Sequence, residues 1–249
     1  MIAKLPDYIT LAEEVCDATE RMAAQATEWL RATGYERTFR DNVLTGLSLK
    51  IDGSFRALID DARAGRVEAM HHLKTMVESF IYFYVVAADT SPETTNRLFA
   101  KTLHEKVKFV RDNMQPGADV QIAELERARD RLLAGAPPLP NVADLAKSYG
   151  PSLGSWYGAV YRLACEPAHI GDLRWFMPEA DDVIEVGPRI TADYHASIAI
   201  DRALELAINM IDSILQATTA ELSADVDALT AKLVAIRGTS KVAREETTR

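Results

Sequence analysis

Residues 66–88 have the sequence RVEAMHHLKTMVESFIYFYVVAA. In a helix drawn through this stretch, apolar side chains fall on more than one face, which is typical of a helix in the middle of a bundle. A carboxylate on such a helix needs a partner, and Glu78 has two candidates, Lys74 four residues before it and Arg162 on a facing segment. The stretch therefore predicts a core helix over residues 67–88, with a structural salt bridge at Glu78.

Helical periodicity continues along most of the chain, so the sequence predicts an all-α fold. Ser91 and Pro92 are a typical helix start, as N-cap and first helical residue, and Gly34 stands where a first helix should end. Gly53, beside Asp52, predicts a kink or a split in the second helix, because glycine costs about 1 kcal/mol relative to alanine. Besides the core helix, helices are predicted over 8–32, 36–64, 92–115, 120–133, 141–148, 155–166, 191–220 and 225–236.

Two stretches interrupt the helical pattern. The sequence GAPPLP at 135–140 cannot continue a helix, because proline lacks the amide donor and disfavours helical geometry in the residue before it. Residues 175–188 have the composition of an irregular loop, in which a short strand pair is conceivable, and the polar end after residue 236 is expected to fray. The sequence predicts one bundle with N- and C-terminal helical extensions. Residues 1–134 are expected to form the N-terminal and core helices, and residues 135–150 a proline-rich linker and a short helix. Residues 151–220 contain the motif-bearing and long helices that complete the same bundle, and residues 221–249 the C-terminal helix and tail.

Composition limits what the chain can do. Acidic residues outnumber basic ones, 37 to 28, and the net charge of -9 repels nucleic acid unless basic side chains cluster locally. The two cysteines, Cys16 and Cys165, are far apart, which predicts a reducing compartment and no disulfide framework. The N-terminus lacks the basic-then-apolar pattern of a signal peptide, and the longest apolar run, 80–88, is far shorter than the ~20 residues that a membrane span needs. We therefore expect a cytoplasmic protein without a membrane segment.

Motifs of several common enzyme classes are missing from the sequence. It contains no G-x-x-x-x-G-K-[ST], G-x-G-x-x-G, G-x-S-x-G or H-E-x-x-H pattern. Nucleotide binding, serine hydrolysis and zinc-protease chemistry therefore lack their usual residues. Glu166 and His169 form the only Glu-x-x-His pair, whereas a di-metal bundle needs two such pairs. The sequence predicts no metal site and no cofactor.

Residues 156–169 form the most unusual segment of the sequence. They combine three aromatic side chains, a thiol, an arginine and a histidine. On a continuous helix, Arg162 and His169 would share a face about 10.5 Å apart. Pro167 lies between them and bends or ends the helix, which brings the imidazole closer to Arg162 or turns it away.

Two blocks of the sequence carry a resemblance to a known family. Residues 72–83, HLKTMVESFIYF, are similar to a Leu-x-Arg-x-x-x-Glu helix, with Lys74 in place of the arginine. Residues 157–169 match a Tyr-x-x-x-Ser-x-x-x-His pattern with Cys165 in place of the serine. Both patterns resemble those of domain of unknown function family 5677, a bacterial helical family that is itself similar to the HEPN (higher eukaryote and prokaryote nucleotide-binding) group. The resemblance spans residues 39–220.

The resemblance implies a HEPN-like fold and a function. Arg162 and His169 would match the Arg-x(4–6)-His motif of metal-independent HEPN endoribonucleases. His169 would exchange a proton with the RNA 2′-hydroxyl or the leaving oxygen, and Arg162 would hold the phosphate. HEPN active sites usually form between two protomers, so the resemblance implies a homodimer with RNA as its substrate, acting as a toxin-type effector in bacterial stress or defence. The candidate binding residues around this catalytic pair are Tyr157, Tyr161, Glu78, Lys74 and Trp156.

Other interpretations of the same residues stay open. Tyr157, Tyr161 and Cys165 are spaced four apart and also fit a buried stripe, with Arg162 and His169 tied up in internal hydrogen bonds. The chain would then be a non-enzymatic helical interaction or regulatory module with a protein partner. A small-molecule pocket lined by Trp156, Tyr157, Tyr161 and Tyr82 is a third interpretation.

Overall fold

The computed structural model describes residues 4–66, 68–113, 117–165, 192–215 and 223–246. Within these ranges the chain forms nine α-helices and no strand, which confirms the predicted all-α helical bundle. The predicted loop at 175–188 lies outside the described residues. The helices are α1 (Leu5–Thr33), α2 (Phe39–Arg63), α3 (Ala69–Ala88), α4 (Pro92–Asn113), α5 (Ala118–Leu133), α6 (Val142–Ser148), α7 (Pro151–Cys165), α8 (Ala192–Leu215) and α9 (Ser223–Glu246).

The predicted core helix is α3. Met70, Leu73, Met76, Val77 and Ile81 have no exposed surface. Burying a side chain of this size contributes about 1.5–3 kcal/mol relative to leaving it in water, so α3 is a major source of stability. Although α3 is strongly apolar, no helix in the described part of the chain has an apolar stretch long enough to cross a membrane.

Local sequence signals set several helix ends. α1 ends at Gly34, whose φ of 62° is the left-handed conformation that favours glycine. α4 begins at Pro92, as predicted. α6 begins after Asn141, whose side chain accepts a hydrogen bond from the Asp144 amide at 2.9 Å. This bond satisfies one of the amide donors that the first turn of a helix leaves unpaired.

Two helices differ from their predictions. α2 runs without a break through Gly53, so the predicted split there is wrong. Phe55 is buried beside this point, and Arg56 pairs with Asp52 one turn earlier at 2.9 Å, which together offset the cost of the glycine. α9 continues to Glu246, well past its predicted end. Lys241, Ala243, Arg244, Glu245 and Glu246, near its end, are residue types that favour a helix even though the segment is polar.

The described residues divide into two compact units. Unit 1 comprises those among 1–36, 48–80 and 156–249, and unit 2 comprises those among 37–47 and 81–155. Three helices, α2, α3 and α7, contribute residues to both units. The proline-rich stretch lies inside unit 2.

In unit 1, α1, α8 and α9 pack against one another. Arg237 fastens α9 to α8: its guanidinium donates to both oxygens of Asp201, at 2.8 and 3.2 Å, and to Glu205 at 2.9 Å. Burial, together with the neighbouring Asp201 carboxylate, raises the pKa of Tyr8 on α1 to about 12. One cluster of polar groups therefore connects all three helices.

In unit 2, α4 packs against α5 and also holds the proline-rich stretch. Arg97 Nε donates to the Pro137 carbonyl at 2.8 Å, and Lys101 Nζ donates to the Pro140 carbonyl at 3.0 Å. Proline has no amide hydrogen, so the carbonyls are the groups through which this stretch can be bound along its backbone. The side chains of Arg97 and Lys101 therefore bind backbone carbonyls that in a helix or a sheet would be bound by backbone amides.

We expect Arg237→Ala to lower the free energy of unfolding by about 1–2 kcal/mol, because Asp201 and Glu205 would lose their strongest cationic donor. Urea unfolding followed by circular dichroism measures the change. Arg21→Ala is the matched control, since the Arg21–Asp225 pair has side chains that are 55% and 47% exposed. Exposed pairs contribute little, so this variant should lose less than about 0.5 kcal/mol. Equal losses in the two variants would contradict the role assigned to Arg237.

Candidate functional site

The candidate site residues within the described ranges lie on two helices of unit 1. Lys74 and Glu78 are one turn apart on α3, and Trp156, Tyr157, Tyr161 and Arg162 follow one another along α7. His169 lies outside the described residues, so the predicted approach of Arg162 and His169 stays a prediction. What the structure does bring together is the α3 pair and the tyrosines of α7.

Tyr157 and Tyr161 stack on each other on one face of α7. Their ring centroids are 4.7 Å apart and the rings are inclined by 20°. This contact follows from their spacing, because residues four apart on a helix lie one above the other. Tyr157 is only 7% exposed, so its ring is part of the core and offers little surface to a ligand.

Lys74 and Glu78 both contact Tyr161. The Lys74 ammonium lies over the ring, 5.5 Å from its centroid, which is a cation–π geometry. The Glu78 carboxylate and the Cys165 thiol lie near the phenol hydroxyl, and both raise its pKa. We call these four residues, Lys74, Glu78, Tyr161 and Cys165, the Tyr161 cluster.

The salt bridge predicted at Glu78 does not form within the described ranges, where no ion pair joins Glu78 to Lys74 or Arg162. Lys74 has the spacing for a salt bridge, but its ammonium lies over the aromatic ring of Tyr161. Spacing along one helix shows which pairs are within reach, whereas the facing helix decides which pair forms.

The surroundings of Tyr161 keep its phenol protonated. Burial is the largest cause that raises its pKa above the ordinary value, followed by the hydrogen bond with Cys165 and the negative charge of Glu78. At neutral pH the phenol is therefore a hydrogen-bond donor and not a base.

Arg162 is the cation of this region that faces solvent. It lies in the last turn of α7, directly after Tyr161, and its side chain is exposed. None of the residues in the described ranges forms an ion pair with it. A planar guanidinium can donate two parallel hydrogen bonds to a phosphate, and no described residue competes for this one through an ion pair.

A second polar cluster was not foreseen from the sequence. His72 Nε2 lies 3.2 Å from Asp61 Oδ2, and Arg66 lies 3.3 Å from the other oxygen of the same carboxylate. Asp61 is in the last turn of α2 and His72 is near the start of α3. The short connection between these helices was a signal for their approach, because it brings the adjoining helix ends close together.

Comparison of the chain with protein-family models, with curated proteins and with solved structures finds no match in any of the three. Among the residues that the structure describes, no group of three or more His, Cys, Asp or Glu side chains is placed to hold a metal ion. The case for a function therefore depends on the geometry of α3 and α7.

The raised pKa of Tyr161 predicts a pH dependence of stability. A phenol that holds its proton more tightly in the folded state than in the unfolded chain stabilises the fold fully below the unfolded pKa of about 10, and this contribution is lost as the pH rises through the folded pKa. We expect the free energy of unfolding to fall above about pH 10, and to fall less steeply in Tyr161→Phe.

Urea unfolding at several alkaline pH values measures this slope. Tyr8→Phe is a matched comparison, because the pKa of Tyr8 is also raised, to about 12, and its removal should flatten the curve in the same direction. If the slope of Tyr161→Phe equalled that of the unsubstituted protein, the pKa of Tyr161 would not be raised in the folded state.

Proposed function

We propose that the chain is a HEPN-like, metal-independent endoribonuclease that works as a homodimer in the bacterial cytoplasm, as a toxin-type effector in stress or defence. The observation that carries the proposal is the state of Arg162, which is exposed and has no ion-pair partner among the described residues. If Tyr157, Tyr161 and Cys165 formed only a buried structural stripe, we would expect this guanidinium to make hydrogen bonds within the protein.

The proposed chemistry assigns one task to each residue of the pair. His169 exchanges a proton with the RNA 2′-hydroxyl that attacks the phosphorus, or with the oxygen that leaves, since imidazole gains and loses protons near neutral pH. Arg162 binds the phosphate and stabilises the negative charge that develops on its oxygens. Neither task uses a metal ion as Lewis acid.

The net charge of the chain makes a locally unpaired cation important. At -9 the chain as a whole repels RNA, so affinity has to come from cations that are not already neutralised by acidic neighbours. Several arginines of unit 1 pair with carboxylates, for example Arg56 with Asp52 and Arg237 with Asp201. Arg162 has no such partner in the part of the chain that the structure describes, and a second copy of the chain would bring a second Arg162 to a shared cleft.

We expect the purified full-length protein to cleave single-stranded RNA in the presence of EDTA, and Arg162→Ala and His169→Ala each to lower the rate by about 10²-fold or more. Gel analysis of a labelled oligonucleotide measures the rate. Arg131→Ala, a change at an exposed arginine on α5, is the matched control and should leave the rate unchanged.

Sedimentation of the same samples measures the oligomeric state, for which we expect a dimer. If the unsubstituted protein cleaves no RNA, or if the two alanine variants cleave at the full rate, the proposal fails. The chain would then be better assigned as a helical interaction or regulatory module, in which Arg162 would be expected to contact a protein partner.

A further inference from the structure

In unit 2, α4 exposes aromatic rings along one side. Phe99 is 38% exposed and Phe109 is 67% exposed. The ring of Phe99 also meets Phe39, itself 42% exposed, edge to face with 5.3 Å between the ring centroids. A single exposed apolar side chain is common, but several large ones along one surface mark a place where a partner binds.

The exposed rings belong to a regular set of side chains on α4. Intervals of three, four, three and four residues place side chains on the same face of an α-helix. The residues at these intervals are all exposed, and they are Phe99, Thr102, Lys106, Phe109 and Asn113. We call these five residues the aromatic face. The ten residues from Phe99 to Phe109 correspond to about 15 Å along the helix axis, so the face is long and narrow.

The aromatic face contains one charged side chain, and it is a cation. No described residue forms an ion pair with Lys106. Lys108, two residues further on, pairs instead with Glu105 at 3.2 Å. In a chain with a net charge of -9, a face that contains a lysine and no acidic residue is complementary to an anion.

Single-stranded RNA has the chemical groups that match this face. Its phosphates are anions for an ammonium to bind, and its unpaired bases have flat faces that stack on aromatic rings. A second copy of the chain fits less well, because a two-fold contact of the aromatic face with itself would bring Lys106 towards the same cation of the other copy. Both the rings and the charge therefore favour RNA.

We propose that the aromatic face of α4 is a binding surface for single-stranded RNA. Bases stack on Phe109 and on the exposed parts of the Phe39 and Phe99 rings, and Lys106 binds a phosphate between them. This inference rests on the proposed ribonuclease function for its choice of RNA as the partner. It assigns affinity to the aromatic face and leaves the cleavage chemistry to Arg162 and His169.

Fluorescence anisotropy of a labelled 2′-O-methyl oligonucleotide tests the stacking in the full-length protein. The methyl group blocks the hydroxyl that would attack the phosphorus, so the strand is bound without being cleaved. Phe109→Leu removes the ring and keeps an apolar side chain, and we expect it to raise Kd about tenfold. An abasic oligonucleotide of the same length and charge should bind the unsubstituted protein and Phe109→Leu equally.

The salt dependence of the same binding tests Lys106. Each phosphate contact in a single strand contributes about 0.7 to the slope of log Kd against log salt concentration, so Lys106→Gln should lower the slope by about that amount. Lys108→Gln is the matched control. It removes the same charge from a lysine that is already paired, and it should leave the slope unchanged. Circular dichroism verifies that each variant is folded.

The cleavage assay separates this inference from the proposed function. Phe109→Leu and Lys106→Gln should raise KM and leave kcat unchanged, because they remove binding that is equal in the ground state and the transition state. If both variants keep the Kd and KM of a protein that does cleave RNA, the function stands, the inference is overturned, and the aromatic face is left to a protein partner. If the protein binds RNA through this face but cleaves none, the proposed function fails and the inference stands.

Discussion

A carboxylate on a helix that is buried on several faces has to find a hydrogen-bond donor, and this requirement organises the region around α3. The apolar side chains of α3 exclude water from much of its surface, so Glu78 depends on its neighbours for compensation. The Tyr161 phenol of α7 lies near this carboxylate, whose negative charge raises the pKa of the phenol. The Lys74 ammonium of α3 lies over the ring of the same tyrosine, so charged groups of α3 meet this side of α7, while Arg162 is exposed.

Much of the fold could be predicted from the sequence because its helices are marked by strong local signals. Apolar residues at helical spacing identified the helices, and Gly34 and Pro92 marked an end and a start through their own backbone geometry. Where a local signal competed with packing, packing decided. Gly53 did not break α2, because its neighbours are buried and paired. The polar composition after residue 236 did not end α9, because individual residue preferences there still favour a helix.

Less of the candidate site could be predicted, because its contacts depend on which helices face each other. The stacking of Tyr157 on Tyr161 could be predicted from their spacing. The contact of the Lys74 ammonium with the Tyr161 ring could not, since a ring face can compete with a carboxylate for an ammonium only when the two helices meet. The contact of His72 with Asp61 was missed for the same reason.

The bonds between α4 and the proline-rich stretch should make that stretch resistant to proteases. Exposed connections between helices are ordinarily where proteases cut, because the chain there can be drawn out and paired with the enzyme through its amides and carbonyls. Between α5 and α6 the prolines offer no amide hydrogen, and Arg97 and Lys101 already occupy the carbonyls of Pro137 and Pro140. A connection that is open to solvent is thus a poor protease substrate, and the two helices that it joins should stay covalently linked under limited proteolysis.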